Sequence, residues 1–305
     1  MLREELEEHL RAMITGPMLP FPGSGETATR HLQLMNVARE DISLARLAEA
    51  HWDATAILAE AGKTIIADVL YGVWASERPG RAMVLKQDGN DFLLTGTKSF
   101  CSGAGIVDRA LIIVGSPEQR LIDMDLRANH RAVCFDNSDW KTSAFSETNT
   151  SSVHFQDARI SADELVGEPH WYLKRPGFWH GACGPAACWA GGAVGLLDYA
   201  LLQSREDPHT LAHLGAMHAS VWALYSILEK AGHEIDATAS NAELALVRAL
   251  TVRHLVEQGC TDVLRRVSRA YGPHPLAMDR HIARRYQELD LYLRQSHAER
   301  DLGSV

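Results

Sequence analysis

The pattern of hydrophobic residues changes twice along the chain, and these two changes limit the folds that it can adopt. Up to about residue 64 apolar residues recur at helical spacing, as in the alanine-rich segment AHWDATAILAEAG. Between residues 65 and 167 short segments rich in β-branched and aromatic residues alternate with turn residues. Long amphipathic stretches return after Gly167. This order predicts an α+β protein with a small antiparallel β barrel or sandwich between helical segments.

These changes divide the chain into three predicted regions: a short N-terminal helical segment (1–64), a β domain (65–167) and a C-terminal helical bundle (168–305). Within the first region, a proline- and glycine-rich loop over residues 14–28 precedes a predicted helix over residues 30–61. The bundle segment GACGPAACWAGGAVGLL is dense in small residues, which favours close helix packing. The strand candidates of the β domain are AMVLKQ, DFLLTGTKSFCS, RALIIVGS, RLIDMDL, RAVCFD and SSVHFQDARI.

Charge and cysteine content exclude several classes of function. The 305 residues carry a formal net charge of −9, which argues against a nucleic-acid-binding surface and against binding to an anionic membrane. Five cysteines without a CxxC pair predict free thiols in a reducing compartment, and no ligand spacing indicates a metal site. No apolar run reaches the roughly 18 residues of a membrane span. We therefore expect a cytoplasmic protein with no nucleic-acid or membrane partner.

Four blocks in order resemble the acyl-CoA dehydrogenase superfamily. YGVWASE resembles the strand that ends in that family's Thr-Glu-Pro motif, and LTGTKSFCSGAGIVDRALIIV resembles its Gly-x-Lys-x-Trp-Ile-Thr-Asn strand pair. SSVHFQDARISADELVG resembles the segment that leaves the family's β domain, and RAYGPHPLAMDRHIARR its glycine-rich turn and following helix. The resemblance implies N-terminal helices, a central β domain and a C-terminal bundle, FAD as cofactor, and a homo-oligomer, dimer or tetramer.

The resemblance also implies candidate cofactor residues. Ser102 takes the place of the hydroxyl that bonds flavin N5, Phe100 that of a stacking tryptophan, and Ser76 that of a threonine at the ring. Gly272 corresponds to the glycine-rich turn, and Arg205 remains from an Arg-x-x-Phe-Gly segment whose Phe-Gly pair is missing here. Strand alternation would send Ser99 and Cys101 to one face, and Phe100 and Ser102 to the other.

The catalytic residues are less defined by the resemblance. Trp179 and His180 lie where the first long helix of the C-terminal domain begins, and we expect them near the ligand. Tyr292 stands near the position of the family's carboxylate base, and Glu288 and Asp290 are the nearest acids. Glu288 follows Arg284 by one helical turn, so a surface salt bridge is the competing interpretation.

Three functions remain open on the sequence. The first is an FAD-dependent oxidoreductase that dehydrogenates an acyl thioester at its α and β carbons, with Glu288 or Asp290 as the base. The second is a flavin-dependent monooxygenase or oxidase of the same superfamily, with His180, His281 or His297 near the flavin. The third is a flavin-free, non-catalytic relative that serves as a binding or scaffold protein.

Overall fold

The computed structural model describes residues 2–76, 78, 80 and 82–303 and confirms the predicted α+β class. The chain forms two compact units, each built from two stretches of sequence. Unit 1 comprises Met1–Met18 and Ala50–Phe178, and unit 2 comprises Leu19–Glu49 and Trp179–Val305. The units therefore divide the chain differently from the three predicted regions: the N-terminal helices are shared between both.

The helices follow the predicted order, with short helices between the long ones. Their bounds are α1 Arg3–Ile14, α2 Thr27–Glu40, α3 Ile42–Glu60, α4 Trp171–Lys174, α5 Pro176–Gly181, α6 Cys183–Leu201, α7 Pro208–Ala237, α8 Ala242–Tyr271, α9 His274–Met278, α10 Arg280–Leu293 and α11 Glu299–Leu302.

Each of the six segments predicted as strands contains a strand. The strands are β1 Tyr71–Trp74, β2 Met83–Asp88, β3 Asp91–Cys101, β4 Arg109–Val114, β5 Arg120–Asp125, β6 Val133–Asp136, β7 Ser151–Ile160 and β8 Leu165–Val166. They form two four-stranded sheets, in the orders β1-β4-β5-β8 and β2-β3-β7-β6. All pairs are antiparallel except β1 with β4, which run parallel.

The helix predicted over residues 30–61 is two helices, which is a correction to the sequence analysis. The chain is extended at Asp41, with φ −149° and ψ 125°, so the helix cannot continue through this residue. The Asp41 carboxylate accepts a hydrogen bond from the backbone N–H of Leu44 at 3.0 Å and so caps the start of α3. Helical periodicity on both sides of a short break conceals such a cap in the sequence.

The core of unit 1 lies between α3 and the β1-β4-β5-β8 sheet. The C-terminal half of α3 contributes Ala54, Ile57 and Leu58, and the strands contribute Tyr71, Leu111, Ile113, Leu121 and Val166. A hydrogen bond from a buried side chain joins the two sheets. Lys98 of β3 is buried, and its ammonium donates to the carbonyl of Ile113 in β4 at 2.7 Å. This arrangement fixes the end of β3 against the other sheet.

Unit 2 is a bundle in which α6 packs against α2, α8, α7 and α10. The small residues of α6 permit the close approach that the sequence predicted, since a side chain at Gly191 would overlap the carbonyl of Met35 in α2. Buried apolar residues of α2, including Leu34 and Met35, lie in this contact.

Among the described residues, one helix meets the length and composition criteria for a membrane span. This helix is α7, with an 18-residue window of mean hydropathy 1.2, of which 22% is buried. The core helix of a globular protein passes the same test, so one such helix is weak support for a membrane role.

All five cysteines are free and four are buried, whereas Cys134 is exposed. Within the described ranges no three His, Cys, Asp or Glu side chains gather as metal ligands.

We predict that Asp108→Asn lowers the free energy of unfolding by about 2 kcal/mol at neutral pH, because buried Asp108 accepts hydrogen bonds from Arg11 and from the N–H of Leu70. Burial acts to raise the pKa of Asp108, but these hydrogen bonds outweigh it and the pKa is lowered. The stabilisation is therefore present above the unfolded-state pKa and is lost as the pH falls through the folded-state pKa.

Urea unfolding at pH 7 and at about pH 3 measures this difference between the parent and Asp108→Asn. The gap between the two proteins should narrow at the lower pH. Asp163→Asn, at an exposed position, is the control and should change little at either pH. A gap that stays constant with pH would contradict the role assigned to the carboxylate.

Candidate functional site

The structure brings together the two sequence blocks predicted to hold a ring. Trp74, the last residue of β1, is buried, and its indole N–H donates to the carbonyl of Ser102 at 3.0 Å. Ser76 lies exposed two residues beyond Trp74, and Ser102 directly follows β3. Glu77, the final residue of the first block, lies outside the described residues. The Trp74 hydrogen bond thus links the segment that carries Ser76 to Ser102 within unit 1.

Phe100 has an unusual backbone conformation between two buried residues. Its φ is +61°, its side chain is 52% exposed, and its neighbours Ser99 and Cys101 are buried. The pairing of β3 with β7 shifts register between Lys98 and Cys101, which identifies a bulge. The burial of Ser99 and Cys101 on either side of exposed Phe100 agrees with the predicted alternation, although the left-handed residue and the bulge interrupt the regular pairing. An exposed aromatic ring on a strained backbone at a strand end is typical of a binding position.

Ser102 begins a chain of hydroxyl groups that the sequence analysis did not identify. Its Oγ lies 3.1 Å from Oγ1 of Thr150, which lies 2.9 Å from Oγ1 of Thr148. The Thr148 hydroxyl donates to the carbonyl of Phe145 at 2.9 Å. The signal in the sequence was the hydroxyl-rich run TNTSS that leads into β7. The chain connects an accessible serine to a buried carbonyl.

A cavity of about 440 Å³ opens beside β3 at the point where its pairing with β2 ends, at Met83 and Gly96. This volume lies within the range of small-molecule pockets. Arg78 on its wall pairs with Asp139 at 3.7 Å. The lining residues are Ser76, Arg78, Gly80, Ala82, Met83, Thr97, Lys98, Ser99, Ile113, Gly115 and Ser116.

The chemistry of these groups suits a planar heteroaromatic ring such as a flavin, and the contact of each with a ring remains a prediction. Phe100 offers an exposed aromatic surface for stacking. Ser76 and Ser102 offer hydroxyls for polar atoms at the ring edge, and Ser102 is held in place through both its backbone and its side chain. When a flavin is bound, these residues would contribute orientation and hydrogen bonds to its ring.

Two predicted cofactor residues of unit 2 lie together at the C-terminal end of α8. Arg205 donates to the carbonyl of Ala270 at 2.9 Å. Gly272 ends the helix at φ +68°, with open space where a Cβ would stand. The left-handed conformation explains the glycine as a helix terminator, and the cofactor roles of both residues stay predictions.

The predicted ligand residues Trp179 and His180 occupy the short helix α5. His180 is buried, and its Nε2 lies 2.9 Å from the carbonyl of Ala239, also in unit 2. This hydrogen bond fixes the position of the imidazole within the bundle. Contact of either residue with a ligand remains a prediction.

The two predicted catalytic acids differ in their surroundings. Glu288 is buried and pairs with Arg284 at 2.8 Å, and the Ser43 hydroxyl donates to it at 2.8 Å. The Arg284 salt bridge is therefore confirmed, but it is buried rather than on the surface. Burial raises the pKa of Glu288 although Arg284 and Ser43 act to lower it. Asp290 is 62% exposed beside Arg294, so the structure does not bring the two acids together.

Tyr292 and the histidines considered as alternatives have different local surroundings. The Tyr292 side chain is buried against Trp189, and burial raises the pKa of its phenol well above the usual value. Beyond the end of α10, Nδ1 of His297 lies 3.0 Å from the carboxylate of Asp301. His281 stands in the first turn of α10, where its backbone N–H donates to the capping carboxylate of Asp279.

We predict that Phe100→Gly is more stable to unfolding than Phe100→Ala by about 1 kcal/mol. Glycine adopts a φ of +61° without the steric cost that any Cβ incurs there. At an ordinary strand position the order would be reversed. Denaturant unfolding of both variants measures the difference, with the matched pair Phe135→Gly and Phe135→Ala, at another exposed aromatic residue, as the control. Equal effects at the two positions would argue against a strained backbone at Phe100.

Part of the sequence is similar to a characterised enzyme. The chain is 33% identical over 92 residues to the dibenzothiophene monooxygenase of Rhodococcus erythropolis, which amounts to 28% of this chain and 22% of that enzyme. The chain thus matches about a fifth of the length of its curated relatives. No family model matches the sequence.

Solved structures match almost the whole chain at low sequence identity. KijD3 in complex with dTDP superposes with a TM-score of 0.85 at 14% identity, covering 100% of this chain and 88% of that one. TdsC from Paenibacillus sp. A11-2, bound to FMN and indole, gives 0.79 at 17% identity over 99% and 94%. Butyryl-CoA dehydrogenase from Megasphaera elsdenii gives 0.80 at 16% identity over 99% and 88%. The chain therefore has the acyl-CoA dehydrogenase-like fold.

Proposed function

We propose that this protein is a flavin-dependent oxidoreductase whose flavin ring lies against Phe100 with its polar edge at Ser76 and Ser102. The observation that carries the proposal is the hydrogen bond from Trp74 to the carbonyl of Ser102. It ties the end of β1 to the turn after β3 and so presents an aromatic surface and two hydroxyls in one region of unit 1.

For the cofactor, we propose FMN in place of the FAD that the sequence suggested. The Phe-Gly pair of the segment expected to hold the FAD pyrophosphate is missing after Arg205, whose side chain bonds the carbonyl of Ala270. FMN lacks that pyrophosphate and the adenine. TdsC and KijD3, two proteins of similar fold, have been solved with FMN. FMN binding with no preference for FAD is the expected result.

For the reaction, we propose oxygenation of a small molecule. With a reduced flavin and O2, one oxygen atom passes to the substrate and the other leaves as water. The local similarity to dibenzothiophene monooxygenase supports this choice. The surroundings of the predicted carboxylates support it further, since Glu288 is engaged by Arg284 and Ser43 and Asp290 is exposed.

Dehydrogenation of an acyl thioester is the second candidate. Buried Glu288, whose pKa is raised by burial, favours it, because a general base works best with a pKa near the operating pH. Butyryl-CoA dehydrogenase shares the fold. For Glu288 to accept a substrate proton, its hydrogen bonds to Arg284 and Ser43 would have to open.

The cofactor site is tested by flavin titration of the Phe100→Ala variant. Loss of a stacking partner contributing about 1 kcal/mol should weaken FMN binding roughly fivefold to tenfold, measured by quenching of flavin fluorescence. Phe135→Ala removes a comparably exposed aromatic residue from β6 and should leave the affinity unchanged. Equal affinities of the parent and both variants would place the flavin elsewhere, and a parent that binds no flavin would contradict the proposed function.

The reaction is tested on the reduced, flavin-loaded protein. Mixing with O2 and an aromatic heterocycle such as dibenzothiophene or indole should yield a product that carries one oxygen atom from labelled O2. In a parallel anaerobic experiment, the oxidised protein is mixed with a series of acyl-CoAs. Bleaching of the flavin by an acyl-CoA, without oxygen incorporation in the first experiment, would support dehydrogenation instead.

We also propose that the chain self-associates through α7 and α8, which pack against each other. Leu211 and Trp222 of α7 are 51% and 68% exposed, and Leu244 and Leu255 of α8 are 46% and 45% exposed. Each pair is separated by eleven positions, about three helical turns, so its members lie on one side of their helix. Two apolar stripes on adjacent helices fit a second copy of the chain.

Trp222→Glu should shift the protein towards the monomer, because it replaces the most exposed large apolar side chain of this surface with a charge. Light scattering coupled to gel filtration at micromolar concentration measures the mass. Phe135→Glu, which adds the same charge at an exposed aromatic residue of unit 1, should have the same molecular mass in solution as the parent. A monomeric parent would contradict the proposed association.

A further inference from the structure

One arrangement of the protons makes all three contacts of the hydroxyl chain hydrogen bonds at the same time. Thr148 uses its hydroxyl proton to donate to the carbonyl of Phe145. The 2.9 Å hydrogen bond between Thr148 and Thr150 must then be donated by Thr150. With the Thr150 proton also used, the 3.1 Å hydrogen bond between Ser102 and Thr150 must be donated by Ser102. A backbone carbonyl that can only accept sets the direction of all three hydrogen bonds.

Ser102 is therefore left with an oxygen that can only accept. Thr148 is fully buried and Thr150 is 6% exposed, so water does not readily replace either partner. Ser102 is only partly buried and retains lone pairs on its Oγ for a ligand. The ligand atom that meets Ser102 must carry a hydrogen.

We infer that this hydroxyl chain makes the site prefer reduced over oxidised flavin, an inference that rests on the proposed function. Two-electron reduction of the ring adds two electrons and two protons, and N5 changes from a hydrogen-bond acceptor to an N–H donor. N3 is a donor and the ring carbonyls are acceptors in both states. Ser102, as an acceptor, bonds N5–H of the reduced ring and faces the N5 lone pair of the oxidised ring without a hydrogen bond.

This preference makes Thr148 and Thr150 positioning residues for the redox state of the ligand. Tighter binding of the reduced form raises the midpoint potential of bound flavin above that of free flavin. A protein with this property takes up reduced flavin and releases it once it is oxidised.

The test is the ratio of the dissociation constants for oxidised and reduced FMN, measured by anaerobic titration of the whole protein. In Thr150→Val the Ser102 proton is free to donate to oxidised N5, so the ratio should fall roughly fivefold. That fall lowers the midpoint potential by about 20 mV, since tenfold corresponds to ~30 mV for a two-electron couple. Thr148→Val should act in the same direction without contacting Ser102, because Thr150 then turns its proton towards Ser102.

Thr150→Ser and Thr148→Ser retain both hydroxyls and should keep the parent's ratio. Thr148→Ala replaces the valine variant if that variant does not fold, as judged by thermal unfolding. If the Thr150 and Thr148 variants without the hydroxyl bind flavin with the parent's ratio of dissociation constants, the inference is wrong and the proposed function is unaffected. If this ratio changes in Thr150→Val but not in the Thr148 variant, the direction assigned to the three hydrogen bonds is wrong. A parent that binds neither form of flavin overturns the proposed function, and the inference with it.

Discussion

The buried ammonium group of Lys98 is the interaction on which the candidate site depends. It donates to the carbonyl of Ile113 in β4 at 2.7 Å and reaches the carbonyl of Ala75, just after β1, at 3.5 Å. A buried charge is costly unless it is well solvated by polar groups, so these carbonyls define where the end of β3 lies. Because Ala75 precedes Ser76, and Phe100 follows Lys98 by two residues, the Lys98 side chain acts together with the Trp74–Ser102 hydrogen bond to position both predicted cofactor segments.

The order of helices and strands could be predicted because each element carries its own periodicity. The β-branched segments became strands and the small residues of α6 became a close helix contact, as at Gly191. Asp41 was missed because a helix cap within a continuous helical pattern changes no periodicity. The division into two units was missed for another reason: which helices pack against each other depends on contacts distant in sequence, such as those of α2 with α6 and α7.

The candidate site was predictable only in its residue types. A resemblance pointed to Ser76, Phe100 and Ser102, but the bulge at Phe100 is a backbone property that no alternation rule reveals. Thr150 and Thr148 were overlooked because their role depends on where the segment before β7 passes Ser102. For Glu288, helical spacing predicted the ion pair with Arg284 correctly, whereas its burial depends on neighbours from a distant helix, including Ser43.

The interleaving of the two units along the chain has a consequence for synthesis on the ribosome. Unit 1 is complete once Phe178 has emerged, but α2 must wait for α6 and α7, which are made later. At ~5–20 residues per second, the stretch of about 60 residues from Phe178 to the end of α7 takes roughly 3–12 s to translate. During that interval Leu34 and Met35, fully buried in the finished protein, lack their packing partners. The nascent chain therefore exposes the apolar side of α2 for seconds, which makes it a natural client for a chaperone that binds such segments.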